Sequence, residues 1–112
     1  MAGITYERKN KASVILEFDK DSTDTILKVC VPPETIINVT INITEAFDAT
    51  KVLSVGIPSD HELFVAAAML DVETIAITEH QQWYKCPASR TLTLFASGAS
   101  ATGAGEIFIE FL

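Results

Sequence analysis

The sequence lacks most of the features by which enzymes, metalloproteins and membrane proteins are recognised. Among its 112 residues are only two histidines and two cysteines, and neither histidine stands at metal-ligand spacing from a cysteine or from the other histidine. It has no nucleophile-elbow motif, no phosphate-binding glycine loop and no dinucleotide fingerprint. No apolar run approaches the roughly 20 residues that span a bilayer. We therefore expect a protein that is not an enzyme, has no catalytic residue, cofactor or metal, and does not enter a membrane.

Positive charge is also scarce. Eight Lys and Arg residues stand against fifteen Asp and Glu residues, for a net charge of -7. No basic run interleaved with aromatic residues offsets that field, so nucleic acid is not an expected partner. The first residues lack the continuous apolar core of a secretory signal, which predicts that the protein is made in a cytoplasm. In that reducing compartment we expect Cys30 and Cys86 as two unpaired thiols, with a disulfide as the alternative.

What the sequence does contain is strand patterning, most clearly from Thr35 to Thr44. Four aliphatic residues alternate there with Asn38, Thr40, Asn42 and Thr44. Because successive side chains of a strand point to opposite faces, this pattern predicts one buried face and one face that carries amides and hydroxyls. Further strands are predicted at 13–18, 25–31, 51–57, 72–78, 91–97 and 106–112, with a short one near 82–85.

Two segments lack a simple strand pattern. Ser59 and Glu62 have the spacing of a helix capping box, and the alanine-rich run after them favours a helix, so Ser59–Leu70 is predicted to be a short helix or an irregular crossing. His61 is then an exposed loop residue. Ser97–Gly105 is rich in small residues and has three glycines, which predicts a flexible loop.

These elements predict an all-β chain. Evenly spaced short strands with no long helix favour a single-domain, jelly-roll-like β-sandwich of about seven or eight antiparallel strands, and a closed barrel is the second choice. We assign residues 13–112 to the sandwich and residues 1–12 to an extended basic N-terminal arm. The arm holds Arg8, Lys9 and Lys11 against Glu7 alone, a net charge of +2, which leaves -9 for the rest. A disordered terminus and an arm laid on an acidic neighbour both fit this composition.

Three groups of residues are candidates for contact with a partner. They are the arm residues Tyr6, Arg8, Lys9 and Lys11, the polar row Asn38, Thr40 and Asn42, and the aromatic pair Trp83 and Tyr84. The aromatic pair lies in a polar setting, where amphipathic rings either anchor an interface or reach into the core. A long strand such as Ile36–Thr44, if it lies at a sheet edge, would invite pairing into a dimer or trimer.

Two stretches resemble a pattern of small structural proteins of tailed bacteriophages. The first is Thr44–Ala49 followed by Leu53–Gly56, a threonine-rich strand with a Thr-x-Ala-Phe-Asp turn and a Val-Gly strand end; the second is Gly98–Glu106, which leads into an Ile-Phe-Ile-Glu-Phe strand. In size and all-β character the chain is also similar to the capsid decoration, or stapling, proteins of short-tailed phages.

This resemblance implies a function. Such proteins adopt jelly-roll-like folds, self-associate and bridge capsid subunits, so the expected role is a structural virion protein that decorates the capsid exterior and stabilises it against internal pressure. The expected partners are the major capsid protein and the protein itself, as a homodimer or trimer, with assembly in the host bacterial cytoplasm. The alternative is a carbohydrate- or receptor-binding β-module of a phage tail or fibre, in which Trp83 or Tyr84 would stack on sugar rings.

Overall fold

The computed structural model describes residues 12–112, and almost all of its regular structure is β-strand. The eight strands are β1 (Ala12–Asp19), β2 (Thr25–Cys30), β3 (Thr35–Glu45), β4 (Val52–Ile57), β5 (Asp60–Val65), β6 (Ala76–Lys85), β7 (Arg90–Ser97) and β8 (Ala104–Phe111). A single 3₁₀ turn at Ala67–Met69 is the one helical element in this part of the chain.

The strands form two four-stranded sheets. Sheet 1 has the order β1-β8-β3-β6 and sheet 2 the order β2-β7-β4-β5, and all pairings are antiparallel. Except between β4 and β5, each strand is followed by a strand of the other sheet. This strand order is that of a jelly roll, in which two Greek keys close over one core. The predicted jelly-roll-like sandwich of about seven or eight antiparallel strands is confirmed.

The core lies between the inner faces of the two sheets. In sheet 1, Val39 and Ile41 of β3 pair with Ile109 and Ile107 of β8, and all four side chains are at most 1% exposed. Leu92, Leu94 and Val55 of sheet 2 are equally buried. Since burying one such side chain is worth about 1.5–3 kcal/mol, this aliphatic layer supplies most of the energy that holds the sheets together.

The prediction of a helix or irregular crossing at Ser59–Leu70 is wrong, because half of that segment is strand β5 and only Ala67–Met69 is helical. Its pairing with β4 depends on Gly56, where a Cβ atom would lie 2.2 Å from the carbonyl oxygen of Asp60. Glu62 forms no capping box and instead accepts a hydrogen bond from the backbone N–H of Ala67, at 2.7 Å. His61 is exposed, as predicted, but it lies in a strand and stacks on the ring of Phe95.

Two further corrections concern sheet 1. The strands predicted at 72–78 and 82–85 are parts of one ten-residue strand, β6. The long strand β3 is not an edge, because it pairs with β8 on one side and with β6 on the other. The edges of sheet 1 are β1 and β6. The argument that β3 invites pairing therefore no longer applies, and β6 is the long edge strand of this sheet.

One end of the sandwich, which we call the four-loop end, carries the connections 20–24, 46–51, 66–75 and 98–103. Phe47 is buried there, stacks on Phe18 at 5.9 Å between ring centroids, and fills the space beside Gly103, where a Cβ atom would meet its ring. Lys51 is 5% exposed, and its ammonium group donates to the carbonyl oxygens of Lys20 and Ser22, each at 3.2 Å.

The glycine-rich loop at this end is also held in place. The backbone N–H of Ala101 donates to the Asp48 carboxylate at 2.8 Å, and the Ser100 hydroxyl accepts from the Asp48 N–H at the same distance. The Gly103 N–H donates to the Glu45 carboxylate. The expected flexible loop is thus fastened along its length. The two stretches that resemble the phage pattern, 44–57 and 98–106, pack against each other.

The opposite end, which we call the disulfide end, carries the connections 31–34, 58–59 and 86–89. Cys30, the last residue of β2, and Cys86, which follows β6, form a disulfide with their Cα atoms 6.2 Å apart. The expectation of two unpaired thiols is therefore wrong. Residues 56 positions apart are joined here because the fold brings the ends of β2 and β6 together. The bond connects sheet 2 to sheet 1.

An ion pair closes the same end. Lys28 and Glu34 approach to 3.0 Å, and the Lys28 ammonium also lies 4.0 Å from the centroid of the Phe111 ring. The Glu34 carboxylate accepts a hydrogen bond from the Val31 N–H at 2.9 Å. That bond, assisted by Lys28 and opposed by burial, lowers the pKa of Glu34 below its usual 4.5.

Candidate interaction surface

The solvent side of sheet 1 is the surface that holds most of the predicted contact residues, and we call it the outer face. Directly opposite residues of antiparallel strands point to the same side, so the register defines it. Three rows cross the sheet: Ser13, Glu110, Asn38 and Gln81; Ile15, Phe108, Thr40 and Glu79; and Glu17, Glu106, Asn42 and Ile77.

The polar row of β3 lies in the middle of the outer face. Asn38, Thr40 and Asn42 are half-buried among their neighbours. The Asn38 amide nitrogen donates to Glu110 at 3.2 Å and to the Thr40 hydroxyl at 3.3 Å, and the Asn42 amide donates to Glu106 at 3.4 Å. The oxygen of the Asn38 amide, Oδ1, is buried and has no hydrogen-bond partner among the described residues.

Apolar side chains lie beside this polar row. Trp83 is 76% exposed, Ile77 is 66% exposed and Ile15 is 57% exposed. Strand alternation places Trp83 on the same side of β6 as Ile77. Phe108 also points outward, opposite Ile15 and Thr40, and is half-buried. Sequence reasoning did not select Ile15 or Ile77, although the alternation of their own strands was the signal that could have found them.

Tyr84 does not belong to this surface. It lies on the inner side of β6, packs against the core and meets Phe64 edge to face, with ring centroids 5.2 Å apart. The structure therefore separates the aromatic pair: Tyr84 supports the core and Trp83 faces solvent. His80 is also turned inward, and burial lowers its pKa below 6.5.

The charge of the outer face is mostly negative. Its three rows contain four carboxylates, Glu17, Glu79, Glu106 and Glu110, and no basic residue. Lys85, at the end of β6, follows Trp83 on the same side of that strand. The four arm residues Tyr6, Arg8, Lys9 and Lys11 lie outside the described residues.

The solvent side of sheet 2 has a different character. Exposed aliphatic residues, among them Ile26, Val29 and Val52, lie around small hydroxyl residues, and the His61 ring covers Phe95 with 3.8 Å between centroids. In the described range, 12–112, no group of three or more His, Cys, Asp or Glu residues is placed to hold a metal ion. In the same range no helix is long and apolar enough to cross a membrane.

Comparison with known proteins shows that this chain shares its fold with solved structures. No protein-family model matches this chain, and no curated protein matches it. Among solved structures, a chain of the "acidic stable capsid structure" of Helicobacter pylori bacteriophage KHP30 has a TM-score of 0.73 at 14% identity, over 90% of this chain and 86% of that one. A chain of the cyanophage Pam1 capsid asymmetric unit has a TM-score of 0.62 at 13% identity, over 91% of this chain and 84% of that one. The jelly roll described here is thus a fold found in the capsid structures of two bacteriophages.

Proposed function

We propose that this protein is a structural component of a bacteriophage virion that decorates the outside of the capsid and stabilises it. The shared fold supports this proposal: chains in two phage capsid structures have the same sandwich over 86% and 84% of their own lengths. The partners are then the major capsid protein and further copies of this protein, and assembly takes place in the host cytoplasm before the particle is released.

The outer face is suited to such a contact. A four-stranded sheet offers a broad surface, and here it combines exposed apolar groups, Ile15, Ile77 and Trp83, with a hydrogen-bonding row of amides and carboxylates. Interfaces commonly combine a central aromatic or aliphatic anchor with surrounding polar contacts. We therefore assign Trp83, Asn38, Thr40 and Asn42 to the contact, together with the arm residues 6–11.

The mechanism is mechanical rather than chemical. A partner that binds only the assembled shell stabilises that shell by mass action. In a particle with many copies, modest contacts act together because each bound copy holds its neighbours at high effective concentration. Both ends of the sandwich are tied, one by hydrogen-bonded loops and the other by a disulfide, so the domain can carry load between subunits without opening.

A binding experiment with matched variants tests this proposal. Purified protein is added to capsids that lack it, and bound copies per particle are counted by quantitative gel densitometry. We expect saturation at a fixed copy number and a higher temperature of capsid disruption. Ile77→Lys on the outer face should weaken binding at least about tenfold, since it places a charge in an apolar contact. Ile26→Lys, on the opposite sheet at nearly the same exposure (63% against 66%), is the control and should bind normally.

Two results would contradict the proposal. One is absence of saturable binding to the capsids. The other is specific binding on a glycan array that is lost in Trp83→Ala, which would favour the carbohydrate-binding module of a tail or fibre, since an exposed indole also stacks on sugar rings. Equal losses for Ile77→Lys and Ile26→Lys would overturn the assignment of the outer face.

A further inference from the structure

We propose that the outer face of sheet 1 receives the basic segment Met1–Lys11 of a second copy of this protein. The inference rests on the proposed function and deepens it: of the two partners proposed there, it assigns the outer face to a second copy of this protein, and its test uses no capsid. A failure of capsid binding and a failure of this contact can therefore be told apart.

Charge complementarity is the first argument. The three rows of the outer face contain the carboxylates Glu17, Glu79 and Glu106 and no basic residue, while the segment before β1 contains Arg8, Lys9 and Lys11 against one glutamate. The only other basic residues of the chain are Lys20, Lys28, Lys51, Lys85 and Arg90, and two of them are already engaged inside the fold. Lys28 is paired with Glu34 and Lys51 is buried against backbone carbonyls. The segment is thus the densest positive charge that a second copy offers.

One acceptor in the middle of the outer face also has no donor among the described residues. This atom is the buried Asn38 Oδ1, and a buried acceptor left unpaired destabilises the protein. Arginine and lysine side chains carry donors and no acceptor. A small movement of the Asn38 side chain would let such a group reach this oxygen, so the contact would satisfy an atom that the isolated domain leaves unpaired.

The apolar groups of both partners match as well. The segment contains Ile4 and Tyr6, and the outer face exposes Ile15, Ile77 and Trp83 beside its carboxylates. Eleven residues can span at most about 36–40 Å, whereas four strands at about 4.8 Å spacing are only about 14 Å wide. The segment is long enough to cross the whole sheet of a neighbouring molecule.

The position of β1 favours a neighbour over the same molecule. β1 is an edge strand that begins at Ala12 and runs from there into its own sheet. Folding back onto its own outer face would need a tight reversal just before Ala12. The residues from Tyr6 to Lys11 contain no glycine or proline, and only Asn10 is a common turn residue.

A peptide titration tests the contact directly. Trp83 is the only tryptophan of the chain and lies on the outer face, so excitation at 295 nm reports on this surface. Protein that lacks residues 1–11 is titrated with a synthetic peptide of residues 1–12. We expect a saturable change in Trp83 emission. The affinity for the peptide should weaken at least about tenfold between 50 and 500 mM NaCl, because exposed charge pairs are screened by salt. A peptide with Arg8, Lys9 and Lys11 replaced by Gln should not bind.

Matched variants locate the site on the protein. Glu79→Lys and Glu17→Lys, both on the outer face, should each weaken peptide binding at least about fivefold, which corresponds to about 1 kcal/mol. Glu73→Lys makes the same charge change in the 66–75 connection and should leave binding unchanged.

An experiment with the full-length protein shows which molecule supplies the segment. Sedimentation velocity should show concentration-dependent self-association that is lost when residues 1–11 are removed. Absence of saturable peptide binding, or equal effects of Glu79→Lys and Glu73→Lys, would overturn the proposed surface. The full-length protein could instead stay monomeric and differ from the truncated protein in Trp83 emission at every concentration. That result would show that the segment lies on its own sheet, and it would overturn the proposal that a second copy supplies the segment.

Discussion

The two ends of the sandwich are closed by different chemistry. At the four-loop end, Phe47, the buried Lys51 ammonium and the Asp48 carboxylate hold three connections together through packing and hydrogen bonds. At the disulfide end, one covalent bond and the Lys28–Glu34 ion pair join the two sheets. The first kind of closure is insensitive to reductant, whereas the second responds to reductant and to acid. Covalent closure is thus present at one end of the sandwich only.

The largest expected effect is at the four-loop end. Phe47→Ala removes a buried ring that stacks on Phe18 and fills the space beside Gly103, and it should lower the free energy of unfolding by about 4 kcal/mol. Urea unfolding with and without dithiothreitol measures the loss. The loss should be the same in both conditions, because the altered site is far from the disulfide. A loss that disappears on reduction would show that the two ends are coupled.

Breaking the disulfide should have the next largest effect. A bond between residues 56 positions apart restricts the unfolded chain, so reduction, or the double change Cys30→Ala and Cys86→Ala, should cost about 3 kcal/mol. The double variant should be insensitive to dithiothreitol, while the natural protein loses stability in it. If reductant changes neither protein, the bond contributes nothing to stability.

Lys51 tests whether polar contacts support the four-loop end. Lys51→Met keeps the buried aliphatic stem but removes the donor to the Lys20 and Ser22 carbonyls, so we expect a loss of about 2 kcal/mol. Faster amide exchange should be confined to residues 20–24 and 46–51. Lys20→Met is the control, since this exposed lysine pairs with the exposed Asp21. Equal losses in both variants would contradict the role of the buried ammonium.

The smallest expected effect concerns acid at the disulfide end. Because the Val31 N–H and Lys28 lower the folded pKa of Glu34, its stabilisation is complete above about pH 4.5 and is lost as pH falls through that folded pKa. The natural protein should exceed Glu34→Gln in stability at pH 6, by less than about 1 kcal/mol, and the difference should vanish near pH 2. Thermal unfolding at a series of pH values checks the trend. A constant difference across that range would mean that Glu34 acts through packing instead of charge.

How much of this structure could be foreseen depended on how local the deciding interaction was. The alternation in β3 predicted both the strand and the outward side of Asn38, Thr40 and Asn42, because burial on one side of a sheet leaves a period of two in the sequence. β5 was missed because its local signal, a capping-box spacing before an alanine run, favours a helix. Pairing with β4, which Gly56 permits, overrides that preference.

The candidate site shows the same division. Trp83 and Tyr84 are adjacent and could not be separated by composition, yet strand alternation sends one ring to solvent and the other to the core. The sequence also could not show that β3 lies between β8 and β6, since strand order is decided by contacts between residues far apart in the chain. That strand order is what places Glu17, Glu79 and Glu106 near Asn38 and Asn42.

By itself, then, the sequence determined the class of the fold and the polar character of one strand face, because hydrophobic periodicity depends on residues that are neighbours in the chain. The tertiary structure alone decided which strands meet, that Cys30 and Cys86 are bonded, and that scattered carboxylates form one acidic surface. Those features depend on which segments pack against each other when the two sheets close over a shared core, and a sequence pattern of period two carries no information about that choice.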